Sequence, residues 1–393
     1  MSSHTSAEVV VVGGGLVGAA AAYELVCSGA DVLLVDASHP GRASDAGAGI
    51  LSPATSADPD ERFYAFSKNA ASHARTLMSR LVEDGIDLGA DVFSECGALV
   101  VALAEHEDKW FSEVADRAKS RDEAVTEVSP AQATEMFPPL GRTWRALLNP
   151  LAARVDGRAL RNGLTTAAQQ RGARVLCSEA IDVAVKRGRA TAVFTQNEIA
   201  DCGALLIATG AWSSFWGDRL GTALRVSPTK GQIVHVVLPN GGSETQPLPS
   251  DRWPIVHPVL NFYLVPWPGG RVACGGTFEA DAGFDTRPTA AGVRDLLREC
   301  LAIAPGLAEA TLHEVRVGLR PTSVDDRPVL GRVPGTANVH VCTGHGANGL
   351  LLGPYSAALV AAGLLDGRGG TAGTAGTAGT AGDIPYDMAR FVG

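Results

Sequence analysis

The stretch Val9-Val10-Val11-Val12-Gly13-Gly14-Gly15-Leu16-Val17-Gly18 decides the fold. The valine run reads as a buried strand, and Gly13, Gly15 and Gly18 take the G-x-G-x-x-G spacing immediately after it. An alanine-rich helical stretch follows from Ala19 to Val26, and a second apolar strand, Val32 to Val35, ends on Asp36. Each part has a physical task. Gly13 allows the tight turn, Gly15 lets backbone N–H groups approach a pyrophosphate, and Gly18 permits close packing of helix on strand. The phosphates then lie on the positive end of the helix. Asp36 can accept hydrogen bonds from both hydroxyls of an adenosine ribose, which disfavours a 2′-phosphate there. Strand, glycine turn, helix, strand and acid together predict a bound ADP moiety on a Rossmann-like α/β sheet.

The rest of the chain bounds what such a protein does. Its 393 residues leave room for two domains. A formal charge of −9 argues against nucleic acid as a partner. No uninterrupted apolar run reaches the roughly 18 residues of a membrane span. The nearest candidate, Val9 to Val26, is broken by glycines and Glu24, so no transmembrane segment is expected. Met1 to Glu8 is polar and lacks the pattern of a secretory signal. The cysteines form no CxxC pair, and Cys177, Cys202, Cys274 and Cys342 have apolar or small neighbours. That usage fits reduced thiols and a cytoplasmic location, with no metal site. The Thr371-Ala372-Gly373 unit repeats up to Gly382 and reads as a flexible linker before a short tail, Asp383 to Gly393.

Later strands look like returns to the first sheet. One is Ala204 to Ala208, running into Thr209-Gly210-Ala211-Trp212; another is Val339 to Cys342, running into Gly344-His345-Gly346-Ala347-Asn348-Gly349 and a helical stretch, Leu350 to Leu365. Between them, Arg62 to Val82 has helical apolar spacing, and Asp295 to Ile303 looks helical. Gln232 to Leu238, Phe262 to Val265 and Arg271 to Gly275 look like strands of a second sheet joined by Pro/Gly-rich turns. The expected layout is a discontinuous Rossmann-like cofactor domain, built from 1–85, 149–225 and 316–368. An inserted mixed-sheet substrate domain takes 86–148 and 226–315, and 369–393 forms the linker and tail. A plain NAD dehydrogenase, with its contiguous nucleotide domain, does not fit this order.

These motifs resemble the D-amino acid oxidase family of FAD-dependent amine oxidoreductases, which includes glycine oxidase, sarcosine oxidase and D-amino acid dehydrogenases. The resemblance spans nearly the whole chain. It rests on the N-terminal fingerprint, Arg42 to Leu51, Ala208 to Ser213, Gly318-Leu319-Arg320-Pro321-Thr322 with Asp325, Pro328 and Gly331, and Gly344 to Gly349. It implies non-covalent FAD, since the covalent-flavin cysteine of the sarcosine oxidase branch has no counterpart near Leu319-Arg320-Pro321. It places Leu16 and Val17 over the pyrophosphate, Asp36 and Ala37 at the adenosine, and Ala43 and Ser44 by the phosphates and ribityl chain. Ala48, Gly49 and Ile50 pass the flavin ring, and Ile181 touches the adenine through its backbone. Gly210 belongs to the second cofactor segment. Gly344, His345, Gly346, Ala347, Asn348, Gly349, Leu350 and Leu351 wrap the pyrimidine side of the ring, where N–H groups at a helix start stabilise the charge of the reduced flavin.

Arg320 is the residue expected to grip a substrate carboxylate, and the resemblance assigns it that role. A guanidinium offers a planar fork that matches a carboxylate in two bonds, and here it sits among apolar neighbours where an unpartnered charge is costly. A structural ion pair with Asp325 or Asp326 is the alternative. By resemblance, Tyr263 donates a second bond to the same carboxylate. Asn261 shares its side of the strand by alternation, and Phe278, Ile50 and Leu51 supply pocket walls. Glycine oxidase-like members carry a second arginine where this chain has Ala347. The reading is therefore FAD-dependent oxidation of an amino acid, favouring a D-amino acid with a neutral side chain. Hydride transfer to flavin N5 would leave an imino acid that hydrolyses to a 2-oxo acid, with oxygen or an electron carrier as acceptor. Glycine or N-substituted amino acids, a 2-hydroxy acid, or a flavin-binding subunit without turnover are the alternatives.

Overall fold

A computed structural model of the chain describes residues 3–89, 91–122, 124–239, 248–259, 262–366 and 384–391. Two eight-stranded sheets and one small three-stranded sheet organise these residues. In the first sheet, Val9–Val12 pairs in parallel with Ala204–Ile207 on one side and Val32–Val35 on the other. Leu205–Ile207 pairs in turn with Val339–Val341. Val9–Val12, Ala204–Ile207 and Val32–Val35 are apolar throughout because both faces of a central parallel strand are covered. The strand returns read from the sequence are therefore present, and the protein has the mixed α/β fold expected.

Helix Leu16–Cys27 packs under this sheet against the helices Gly157–Gln170 and Gly349–Asp366. The last approach is close: a Cβ at Gly353 would lie 3.0 Å from a Val17 methyl group. Among the described residues, Gly346–Leu365 is the one helix long and apolar enough by composition to cross a membrane, and here it packs on Leu16–Cys27 and Glu61–Glu83. The expected helix at Arg62 to Val82 spans Glu61–Glu83, started by the Asp60 carboxylate accepting from the Arg62 and Phe63 N–H groups. Asp295 to Ile303 lies within Ala290–Ile303, capped by Thr289.

The second sheet runs in the order Thr311–Ser323, Val226–Val237, Arg271–Gly275, Tyr263–Trp267, Ile255–Pro258, Ala98–Ala102, Arg145–Asn149, Thr126–Val128. Val226–Val237 and Thr311–Ser323 pair antiparallel from end to end. The division expected between residues 315 and 316 thus falls inside a strand. Arg320 belongs to the second sheet, because its partner strand is long enough to hold the chain until the turn at Asp325-Asp326. The tail is a second correction. Residues 384–391 are seated: Met388 is fully buried, Tyr386 packs edge-on against Phe63 and Phe66, and Arg390 pairs with Asp325. The Thr-Ala-Gly repeat lies outside the described residues.

Candidate active site

A cavity of about 780 Å³ runs between the two large sheets, from Asp36 at one end to Arg320 and Tyr263 at the other. At the first end the glycine turn behaves as its spacing predicts. Gly13 has φ of 105°, and a Cβ at Gly18 would lie 1.8 Å from the Gly13 carbonyl oxygen. Gly18 therefore shapes the turn from behind and does not line the cavity, whereas Gly13, Gly15, Leu16 and Val17 do. Ser44 Oγ accepts from the Leu16 N–H at 2.9 Å, fixing the start of the helix to the segment from Ala43 to Ala46.

Asp36 lines the cavity, and its carboxylate accepts from the Gly14 N–H at 3.0 Å and from Arg42. Arg42 was not foreseen as its partner. Ala37, Ala43, Ala48, Gly49, Gly210 and Ile50 also line the cavity, as do residues from His345 to Leu351. Ile181 stands at the same end, with its carbonyl accepting from Arg219 at 2.8 Å. Gly344 does not reach the cavity; with φ of 75° it makes the turn that precedes His345.

The middle of the cavity suits a flat, elongated group. At Gly49, φ is 84° and a Cβ would lie 2.0 Å from the Val155 carbonyl, so the wall is bare backbone there. His345 is buried, and its Nε2 has no hydrogen-bond partner among the described residues. An open helix start, an acid after the second strand, a bare backbone wall and an orphaned ring nitrogen along one continuous cavity fit FAD.

At the far end, the register between strands places Arg320 over Gly231, where a Cβ would lie 2.1 Å from its Nη1. Nη1 donates to the Thr277 carbonyl at 2.9 Å, and the Phe278 ring lies 4.2 Å from the guanidinium carbon. Tyr263 Oη and Arg320 Nη2 converge above Gly276, at 2.9 and 3.2 Å from the position a Cβ would take. Arg320 makes no ion pair among the described residues, and Asp325 is taken by Arg390. Burial pulls the guanidinium pKa down, opposed by Tyr263 and by the charge of Glu279, and burial pushes the Tyr263 phenol up against the pull of Arg320. A largely desolvated cation with no ion pair among the described residues, and only the longer-range pull of Glu279, favours an anionic ligand.

Two pocket expectations need revision. Leu51 points away from the cavity into the helical core, because side chains alternate along its strand and Ile50 takes the cavity face. Phe278 is at the wall but 64% exposed, standing at the mouth. Asn261 lies outside the described residues. The sequence reading missed His257, Ile233, Val100 and Val259, which line the substrate end, and Trp212 and Phe215, which line the nucleotide end. Strand pairing brings the first four together, and no local motif marks them.

A nucleotide fingerprint joined by a long cavity to a free arginine on a second sheet defines a flavin-dependent oxidoreductase. Residues 8–362 match the family of FAD-dependent oxidoreductases, and the chain belongs to that family. It is 34% identical over 359 residues to the uncharacterized oxidoreductase YurR of Bacillus subtilis (strain 168), covering 90% of this chain and 93% of that protein. It is 30% identical to glycine oxidase of Geobacillus kaustophilus (strain HTA426), over 90% of this chain and 92% of the relative. The crystal structure of iminodiacetate oxidase (IdaA) from Chelativorans sp. BNC1 superposes with a TM-score of 0.83 at 35% identity, covering 91% of this chain and 95% of that one.

Two expected results concern this cavity. Asp36→Ala should weaken FAD binding by roughly 1.5–3 kcal/mol, the range for a hydrogen bond to a charged group, as read by reconstitution of the apoprotein. Unchanged affinity would mean the ribose is held elsewhere. The second concerns pH. Burial lowers the pKa of His257 and His345 to about 4 each, whereas an unfolded histidine titrates near 6.5. Between these values the unfolded chain binds protons that the folded chain refuses. Their contribution is thus fully present above about pH 6.5 and lost as pH falls toward 4. Tm should drop across that window, and His345→Gln should make the drop shallower; an equally steep drop in the variant would refute the assignment.

Proposed function

We propose that the protein oxidises the Cα–N bond of an α-amino monocarboxylate, giving an imino acid that water hydrolyses to a 2-oxo acid and ammonia or an amine. The observation that carries this reading is the pair Arg320 and Tyr263, converging at the cavity end with no ion pair to the arginine among the described residues. The arginine fork takes the carboxylate in two bonds and the tyrosine hydroxyl donates a further one. Bound FAD supplies the two-electron acceptor. The chain's own contribution is orientation: gripping the carboxylate turns the α C–H bond toward the middle of the cavity.

The favoured substrate is a D-amino acid with a neutral side chain. Val100, Val114, Val259 and Phe262 give the far end apolar walls, and Ala347 leaves the opposite wall short and uncharged. Burying each CH₂ there contributes about 0.8 kcal/mol. Stereochemistry rests on the family resemblance. N-substituted glycines are the second reading, favoured by the similarity to glycine oxidase and iminodiacetate oxidase. A second carboxylate, however, meets no second arginine at this end among the described residues. Arg42 is paired with Asp36, and Arg219 is bonded to the Phe215 and Ile181 carbonyls at the nucleotide end.

The test is a panel of D- and L-amino acids, glycine, sarcosine, proline, iminodiacetate and 2-hydroxy acids, assayed for peroxide and with an artificial electron acceptor. Neutral D-amino acids should give the highest kcat/KM. A value for glycine above those for D-alanine, D-valine and D-phenylalanine alike would overturn the D-amino acid reading. Turnover of hydroxy acids but not amino acids would overturn the amine chemistry.

A further inference from the structure

His257 is absent from every motif discussed above, yet it faces the substrate end of the cavity. It sits on the short strand Ile255–Pro258, parallel to Ala98–Ala102 and beside Tyr263–Trp267. Side chains alternate along that strand. Val256 packs into the core on the far side with Leu99 and Leu264, while Ile255 joins Ala98, Val265 and Ala273 on the side that Tyr263 borders. His257 shares the Ile255 side. Its ring stands 6.2 Å from the Tyr263 ring at an interplanar angle of 64°, so it flanks the tyrosine instead of stacking on it.

The protonation state of the ring decides what it offers the cavity. Burial keeps the imidazole neutral, so one ring nitrogen carries the N–H. The other nitrogen then carries a lone pair. An amino acid entering this end brings an ammonium or amine group whose N–H donors need acceptors once water is displaced. Carboxylates do not supply them: the acidic residues of the wall, Asp36 and Glu179, lie at the nucleotide end. The nearby hydroxyls are already engaged, with Ser52 and Thr55 bonded to each other at 2.6 Å and Asn149 donating to Ser52.

We propose that His257 accepts a hydrogen bond from the substrate's nitrogen, so that the amine is fixed from one side while Arg320 and Tyr263 fix the carboxylate from the other. This inference deepens the proposed function and rests on its carboxylate grip. It makes the site selective for amino over hydroxy or plain carboxylic acids, because a neutral imidazole acceptor rewards a charged N–H donor more than a neutral group.

Two non-oxidisable ligands of nearly equal shape separate the roles: 2-aminoisobutyrate, and pivalate, in which a methyl group replaces the ammonium. Their binding to the FAD-loaded protein is read from the perturbation of the flavin absorption spectrum. The wild type should prefer 2-aminoisobutyrate. His257→Leu should shrink that preference about tenfold while leaving pivalate affinity nearly unchanged, so pivalate reports that the fold is intact. His257→Gln, which keeps an acceptor oxygen, should recover most of the preference. A preference unchanged in His257→Leu, or a wild type without one, overturns the assignment. Pivalate binding that survives Arg320→Ala would overturn the carboxylate grip instead, so the two failures remain distinct.

Discussion

Arg320→Ala should lower kcat/KM by roughly 2–5 kcal/mol, or about 30- to 5,000-fold, because the substrate carboxylate would be buried without its partner. FAD content should remain near normal, since the arginine stands at the opposite end of the cavity from the nucleotide turn. Arg320→Lys should restore only part of the loss, because an ammonium is a point charge and cannot match both carboxylate oxygens as the planar fork does. The structure adds a companion variant. Gly231→Ala would place a Cβ 2.1 Å from Nη1 and 2.4 Å from the guanidinium carbon, pushing the arginine off its position while leaving its chemistry intact. It should raise KM in the same direction as Arg320→Lys. Wild-type kcat/KM in Arg320→Ala would make the arginine structural and leave the carboxylate to another anchor.

The second large effect is expected at Gly18. A methyl group there would lie 1.8 Å from the Gly13 carbonyl oxygen and 3.0 Å from its carbon. The obstacle is backbone, so no side-chain rotation relieves it. The helix start and the strand end have to separate, and the turn from Gly13 to Gly15 moves with them. Overpacking of this kind destabilises by about 1–3 kcal/mol, which in a chain of this size lowers Tm by several degrees. The larger consequence is for the cofactor: Gly18→Ala should purify largely colourless, with FAD affinity down by at least about a hundredfold as several turn contacts are lost together. Full flavin content in Gly18→Ala would mean that the packing of helix on strand does not set the turn.

Local sequence was enough for the nucleotide end of this protein. The glycine spacing, the valine strand before it and Asp36 after the next strand are all read within the first forty residues, and their roles follow from backbone sterics and helix polarity. Arg320 and Tyr263 were legible individually, through a family pattern and through the burial cost of a lone charge in an apolar strand. What the sequence could not state was their relation. Residues 263, 275, 231 and 320 meet only because four strands from distant segments pair in one register, a set of long-range contacts with no local signature. Long-range packing likewise put Arg320 in the second sheet, turned Leu51 away from the cavity while Ile50 faced it, and seated Tyr386 on Phe63 and Phe66. It also carried His257 to the substrate end, through one strand's alternation beside Tyr263. Motifs specify turns, whose geometry is fixed by a few neighbouring residues. The substrate end is a surface shared by two sheets, and only tertiary packing decides which side chains face it.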